Sequence, residues 1–493
     1  MSLTRILYFL ICTGIFLSCS TVRPLPIPVP IPIPTPTPTP ERQFQNTIDR
    51  LLSDSIFIPA QVGIKIVSLT RGDVLYDLNS KKLFHPASNT KLFTTALALN
   101  TIGKDFVFAT QIFTDSLHDS TVIKGNLYIK GSGDPDLTSI NLREMIQQIQ
   151  AKGIRKIRGD LIGDVTYFDD REWGSGWMWD DDPSSDAMHI SPLSVNKNCV
   201  IISVTPNSTP GKPAWITVTP QTSYITIQNE AITGTDSSQF TLEITRQVRP
   251  ELNTIIVRGS IPRTASIVRK KINVWQPEMY TLTLFKEELR HAGIVFGGNI
   301  RIDTIPSRRL FLTEYSRRLD TVLIAMNKSS DNLAAENLMK TIAAEKRKER
   351  GSTAGGLAEL NNWLISIGID STCYSIVDGS GLSFYNLVSP QTIIRLLEVM
   401  HQKKDLGEMF RQTLPIAGES GNLHFRMNDT SAEGKVYAKT GTLTAVSSLS
   451  GYAIAANGET LAFSLMMENY TGSAKPYRNM QDSLAVVLCS FHR

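Results

Sequence analysis

KVYAKTGTLTAVSSLSGYAIAANGETLAFSLMMEN, residues 435–469, holds three strand-like runs: KVYAKTGTL (435–443), SSLSGYAIA (447–455) and ETLAFSLMMEN (459–469). The last two meet at Asn457-Gly458, the strongest two-residue hairpin signal, because a tight hairpin turn needs positive φ at its centre. An antiparallel meander at this point needs a layer to bury against.

The rest of the chain supplies it. QVGIKIVSLTRGDVLYDL (61–78) has two apolar, β-branched runs around Arg71-Gly72-Asp73, a second hairpin signal. SNTKLFTTALALNTIG (88–103) reads as a helix with Leu92, Phe93, Ala96 and Leu97 on its apolar face and Gly103 as its stop. Helical periodicity returns at 278–292, 319–327, 333–347, 355–367 and 390–401, and a last helix begins near 477. With a hairpin first, helices in the middle and antiparallel strands last, the two ends are expected to share one sheet with helices against it. The expected fold class is α+β.

Between 111 and 274 the character changes. VIKGNLYIK, CVIISVTP, AWITVTP, SYITIQN, FTLEITRQV and NTIIVRGSI are short runs separated by Gly, Pro, Asn and Asp. That pattern predicts an all-β insert, in one piece or two. The expected organisation is a leader (1–19), a proline-rich linker (20–44), a main body (45–110 and 275–493) and the insert (111–274).

The first residues, MSLTRILYFLICTGIFLSCS, place Arg5 ahead of an apolar run too short to span a bilayer, then Ser18-Cys19. This describes an export signal. Cysteine at the cut site resembles the signal of bacterial lipoproteins, which implies a lipid on Cys19, a membrane anchor and a periplasmic location. From Pro24 to Pro40 every second residue is proline. Such a stretch joins neither helix nor sheet and is expected to form an extended polyproline II spacer, on the order of 50 Å at about 3.1 Å per residue.

Lysine plus arginine (50) nearly balances aspartate plus glutamate (46), so no field strong enough for a nucleic-acid partner is present. Beyond the leader only Cys199, Cys373 and Cys489 remain, without a C-x-x-C pair, and the seven histidines are scattered with no H-E-x-x-H. No metal site, cofactor or disulfide framework is expected.

Hydrolysis of an amide through a serine needs an activated hydroxyl, a base, oxyanion donors and a proton for the leaving amine. Ser88-Asn89-Thr90-Lys91 supplies the first two: i and i+3 share one helix face, so Lys91 reaches the Ser88 hydroxyl. The helix N-terminus favours the alkoxide, and desolvation lowers the lysine toward a useful base. Ser330-Asp331-Asn332 then precedes a helix, and Lys439-Thr440-Gly441 lies in a strand leading to Thr442. Each tripeptide alone reads as a cap or as strand residues. S-x-x-K, S-D-N and K-T-G in this order, each in the element the chemistry requires, resemble the motif set of penicillin-binding proteins and class A β-lactamases.

Pro86-Ala87 before Ser88, DGSGLS (378–383), LPIAG (414–418), SLSGY (448–452) and GSGDPDL (131–137) extend the resemblance. Together they are similar to the class C low-molecular-mass penicillin-binding proteins, the D-Ala-D-Ala carboxypeptidase/endopeptidase family, over roughly residues 45 to 493. GESGNL (418–423) departs from that family's Gly-Thr-Leu. The interval from Ser88 to Ser330 is more than twice that from Ser330 to Lys439, and it contains the insert, as in that family.

The resemblance implies a β-lactamase/transpeptidase-like sheet, peptidoglycan peptides as substrate and β-lactams as inhibitors. It implies that Ser88 attacks and Lys91 is the base for acylation. Ser330, backed by Lys439, then relays a proton to the departing D-Ala, and Asn332 binds the substrate carbonyl or orients Lys91. Backbone N–H groups of Ser88 and Thr442 form the oxyanion hole. Thr440, Gly441 and Thr442, with the charge of Lys439, receive the terminal carboxylate. Asp331 is expected to cap a helix.

The sequence offers two other readings. A β-lactamase needs a dedicated deacylation base, and Glu359 with Asn362 superficially offers one. In GGLAELNNWLISIG, however, Leu357, Leu360, Leu364 and Ile367 form the buried stripe and Glu359 faces away. A catalytically inactive wall-binding module has no need of the complete set Ser88, Lys91, Ser330, Asn332 and Lys439.

Overall fold

In a computed structural model, which describes residues 38–116, 118–119, 121–247 and 253–493, the two ends of the chain meet in one antiparallel sheet. The leader, Cys19 and nearly all of the proline-rich stretch lie outside the described residues. The strand order is Val74–Leu78, Gln61–Ser68, Thr460–Glu468, Val446–Ile454, Val436–Leu443. Gly458 sits at φ 84° in the hairpin that Asn457-Gly458 predicted.

Both central strands are buried on both faces. Successive side chains alternate between two cores, as strand geometry requires. Ala462 and Met466 pack with helices Thr90–Thr101, Leu319–Ser329, Asn332–Arg347 and Pro390–Gln402. Leu461, Phe463, Leu465 and Met467 face the other way, onto helices Pro40–Leu52 and Lys475–Ser490. The first of these begins at Pro40, where proline suits a helix start, so the expected linker boundary at 44 moves back to 39.

The segment expected to be all-β is a mixed body. A five-stranded sheet, ordered Ile300–Ile302, Leu161–Asp164, Leu127–Lys130, Val107–Thr114, Leu310–Arg318, contains two parallel pairings. Two three-stranded sheets and a four-stranded one accompany it. Helices Ser139–Ala151 and Pro277–His291 share its core through Leu142, Met145, Ile149, Tyr280, Phe285 and Leu289. The boundaries at 111 and 274 therefore need correction: the insert opens with the strand at Val107 and closes only after Arg318, whose strand pairs with Val107–Thr114.

Helix Thr90–Thr101 was expected to bury one face. It is buried from Thr90 through Leu99, because sheet and helices enclose it. This carries Lys91 into the interior.

Candidate active site

Ser88 stands in a tight turn, Ala87–Asn89, that runs into helix Thr90–Thr101. Ala87 has φ 48°, left-handed for a residue with a Cβ, a conformation that persists only where surroundings enforce it. The Ser448 hydroxyl donates to Pro86 O at 2.7 Å, and Asn89 Nδ2 donates to Ser448 Oγ at 2.7 Å and Lys439 O at 3.2 Å. Two glycines let neighbouring segments press on the turn. A Cβ at Gly441 would stand 2.6 Å from Pro86 O and one at Gly381 1.8 Å from Ala87 O. The glycine of Lys-Thr-Gly is thus a packing requirement of the Ser88 turn.

Lys91 is fully buried, with Nζ 3.1 Å from Ser88 Oγ, 2.6 Å from Asn332 Oδ1 and 2.7 Å from Ser380 O. Burial pushes the amine down to about 8, against the pull of the Asp378, Asp331 and Glu336 carboxylates. As a neutral amine, Lys91 has two hydrogens and one lone pair. The two carbonyl acceptors take the hydrogens, which turns the lone pair toward the Ser88 hydroxyl. That is the geometry of a general base on a nucleophile.

Each acceptor is itself held. Asn332 Nδ2 donates to Asp186 O at 2.8 Å, which leaves Oδ1 for Lys91. The Ser380 carbonyl is placed by Glu336, one turn after Asn332 on helix Asn332–Arg347 and fully buried. Glu336 Oε1 accepts from Gly379 N at 3.0 Å and Ser380 N at 2.8 Å. Burial and then the Asp378 charge raise the Glu336 carboxyl above its usual range. Asp378 ties the other side of the loop, accepting from Gly381 N (2.7 Å), Ser383 N (2.8 Å), Asn386 Nδ2 (2.8 Å) and Trp177 Nε1 (3.1 Å).

Glu336→Ala strands two buried N–H groups, at about 1–3 kcal/mol each. It should lower the melting temperature and slow acylation about tenfold or more, because misplacing Ser380 O misplaces Lys91. Glu336→Gln keeps an acceptor and should lose much less in both measurements. Equal acylation rates in the two variants, with a lower melting point in only one, would show that Glu336 stabilises the loop without aligning Lys91.

Ser330 and Lys439 form a second cluster beside the first. Ser330 caps helix Leu319–Ser329 at φ 63°, and the fully buried Lys439 amine donates to Ser330 Oγ at 2.9 Å and Thr440 O at 2.8 Å. Burial and then the Lys91 charge push Lys439 well below the ordinary lysine range. The positive charge expected of Lys439 is thus disfavoured by burial, and a carboxylate beside the amine would favour it.

Strand Val436–Leu443 is the sheet edge. Ala438 N donates outward to Pro415 O, and Val436 O accepts from Ala417 N, each at 3.0 Å. Alternation then turns the backbone groups of Thr440 and Thr442 outward as well. Thr442 is exposed and Thr440 half-buried.

The structure therefore gathers Ser88 and Asn332 around the Lys91 amine, Ser330 around the Lys439 amine, and Gly441 against the Ser88 turn. Asp331 caps its helix through Ala334 N at 2.9 Å, as expected. Glu359 pairs with Arg347 at 3.0 Å, off the buried stripe. Sequence reasoning missed Glu336 and the Ser380 carbonyl. A glutamate inside the apolar run LAAENLM, one turn from Asn332, was the available signal.

Residues 44–490 match the D-Ala-D-Ala carboxypeptidase 3 (S13) family. The D-alanyl-D-alanine carboxypeptidase of Actinomadura sp. (strain R39) is 34% identical over 464 residues, covering 91% of this chain and 85% of that protein. Among solved structures, penicillin-binding protein 4 (dacB) from Haemophilus influenzae superposes with TM-score 0.80 at 26% identity, over 89% of this chain and 98% of that one. The same protein complexed with a β-lactam superposes with TM-score 0.75 at 25% identity, over 90% and 99%. The chain belongs to the D-Ala-D-Ala carboxypeptidase 3 (S13) family.

Proposed function

We propose that this serine peptidase removes the terminal D-alanine of peptidoglycan peptides through an acyl-enzyme on Ser88. The observation that carries this reading is the Lys91 amine, 3.1 Å from Ser88 Oγ with its two other directions taken by carbonyls. Lys91 takes the hydroxyl proton as Ser88 Oγ bonds to the penultimate carbonyl carbon. The tetrahedral oxygen meets the N–H groups of Ser88 and Thr442. As the C–N bond breaks, the D-alanine nitrogen takes a proton relayed through Ser330, which Lys439 backs. Water then cleaves the ester and restores Ser88. Thr440 and Thr442, at the open strand edge, receive the substrate carboxylate. Endopeptidase action on cross-links is the same acyl transfer with a neighbouring peptide as leaving group.

The test is mass spectrometry of a tryptic digest after penicillin treatment. One penicilloyl adduct is expected, on Ser88, and none in Ser88→Ala. An adduct on another residue would overturn the assignment.

We also infer an exported, lipid-anchored protein facing the periplasm, on the strength of the leader and Cys19. Cys19→Ala should shift the protein from the membrane fraction to the soluble periplasm. Unchanged fractionation would remove the anchor and leave an export signal alone.

A further inference from the structure

Asn196, Lys197 and Asn198 of the inserted domain have φ 51°, 59° and 51°. Residues with a Cβ visit this left-handed region singly and at a cost, so three in succession persist only where contacts over-determine them. Asn196 Nδ2 donates to Ser139 Oγ at 2.7 Å, and its Oδ1 accepts from Ser139 N at 3.1 Å. Asn198 Nδ2 donates to His189 O at 2.8 Å and Ser194 Oγ at 3.0 Å. Lys197, between them, forms ion pairs with Asp136 of GSGDPDL and, at 2.5 Å, with Asp331. The Lys197 side chain is 26% exposed, and those of Asp136 and Asp331 are 13% and 7%.

Asp331 is the middle residue of Ser330-Asp331-Asn332. Its Oδ1 accepts the Ala334 N–H that starts helix Asn332–Arg347, and its Oδ2 meets Lys197. Its own N–H donates to Met326 O at 2.9 Å, across the left-handed Ser330. A carboxylate fixed at both oxygens thus separates the serine that touches Lys439 from the asparagine that touches Lys91. The insert also holds Asn332 directly, through Asp186 O, and Ala187 next to it accepts from Asn273 Nδ2 at 2.6 Å. Without Lys197, the largely buried Asp331 and Asp136 carboxylates would lose the cation they share, and the Ser330–Asn332 turn would have to shift or take up a proton.

We propose that Lys197 is a positioning residue. Through Asp331 it fixes the places of Ser330 and Asn332, so the inserted domain is part of what aligns the two amines. Lys197 itself touches no substrate. The proposal rests on the acyl-transfer reading above.

The test uses the full chain as wild type, Lys197→Met, Lys197→Arg, Asp331→Asn and the double variant Lys197→Met/Asp331→Asn. Fluorescent penicillin gives the fraction of active sites and the acylation rate per active site. Hydrogen exchange follows the Asp331 and Ala334 amides. Lys197→Met should acylate about ten- to a hundredfold more slowly per active site, on the scale of catalytic groups displaced by about an ångström. The two amides should exchange faster, and Lys197→Arg should recover most of the rate. Because the two residues act as one unit, the double variant should lose no more than Lys197→Met alone.

A wild-type rate per active site in Lys197→Met, whatever its melting temperature, overturns the proposal. So do additive losses in the double variant. Should Lys197→Met fail to fold, the double variant, which leaves no unpaired Asp331 charge, and Asp331→Asn carry the comparison. Wild-type rates and exchange in both would overturn the proposal. A wild-type protein that fails to label at Ser88 would instead sink the acyl-transfer reading, while the exchange comparison would still decide whether Lys197 holds the turn.

Discussion

Lys91→Met should slow penicilloyl formation on Ser88 by a factor on the order of 10⁴ to 10⁶, because nucleophile and base act as one unit and losing either loses nearly the whole effect. Methionine fills the space of the buried lysine stem, so the loss isolates the amine. The wild-type rate has a pH signature with a definite sign. As a base Lys91 would act as the neutral amine, and burial pushes that amine down to about 8. The acylation rate constant should therefore rise with pH from 6, level off above about 8, and fall about tenfold for each unit below the limb. Stopped-flow acylation between pH 6 and 9.5 measures it, with a thermal melt at each pH to exclude unfolding. A profile flat across this range, or a Lys91→Met variant within tenfold of wild type, would remove Lys91 as the base.

Much of this arrangement was legible in the sequence, and what was not has physical reasons. The C-terminal strands and the 61–78 hairpin could be read because Asn457-Gly458 and Arg71-Gly72-Asp73 mark turns whose backbone few residues tolerate. Helix Ser139–Ala151 was absorbed into a β reading. Its apolar positions Leu142, Met145, Ile146 and Ile149 follow helical spacing, but its start is a Thr138 capping box closed by Asn141 in place of the usual Glu or Gln. The parallel pairing of Ile300–Ile302 with Leu161–Asp164 joins strands far apart in sequence and leaves no local mark.

The motif residues at the site were visible because chemistry constrains them at short spacing. Their supports were not. Glu336 acts on Lys91 through a carbonyl 44 residues downstream, a contact that only tertiary structure creates. The same holds for Lys197, whose partners Asp136 and Asp331 lie 61 and 134 positions away in the chain.

A D-Ala-D-Ala peptide and penicillin should part company after acylation, the former turning over repeatedly and the latter leaving an adduct that persists for minutes or longer. Both form an ester on Ser88, so the difference lies in access by water. When D-alanine departs, it vacates the space between the two lysines and the open edge at Thr442, and water can enter beside the Lys91 amine. The ring-opened penicillin keeps its leaving group tethered in that space. A β-lactamase overcomes this with a second base that holds a water against the ester. Here Glu336 is fully buried with Oε1 under the Gly379 and Ser380 amides, Asp378 accepts from four donors, and Glu359 pairs with Arg347, so none of these three is placed as such a base. Peptide turnover is expected on the scale of about 1–10³ per second typical of enzymes. Released D-alanine and the decay of fluorescent adduct should be followed in one preparation, so that both rates refer to the same active sites. Penicillin hydrolysed at the speed of an efficient enzyme with no D-alanine released would mean that a base outside this set deacylates Ser88, and that the protein works as a β-lactamase.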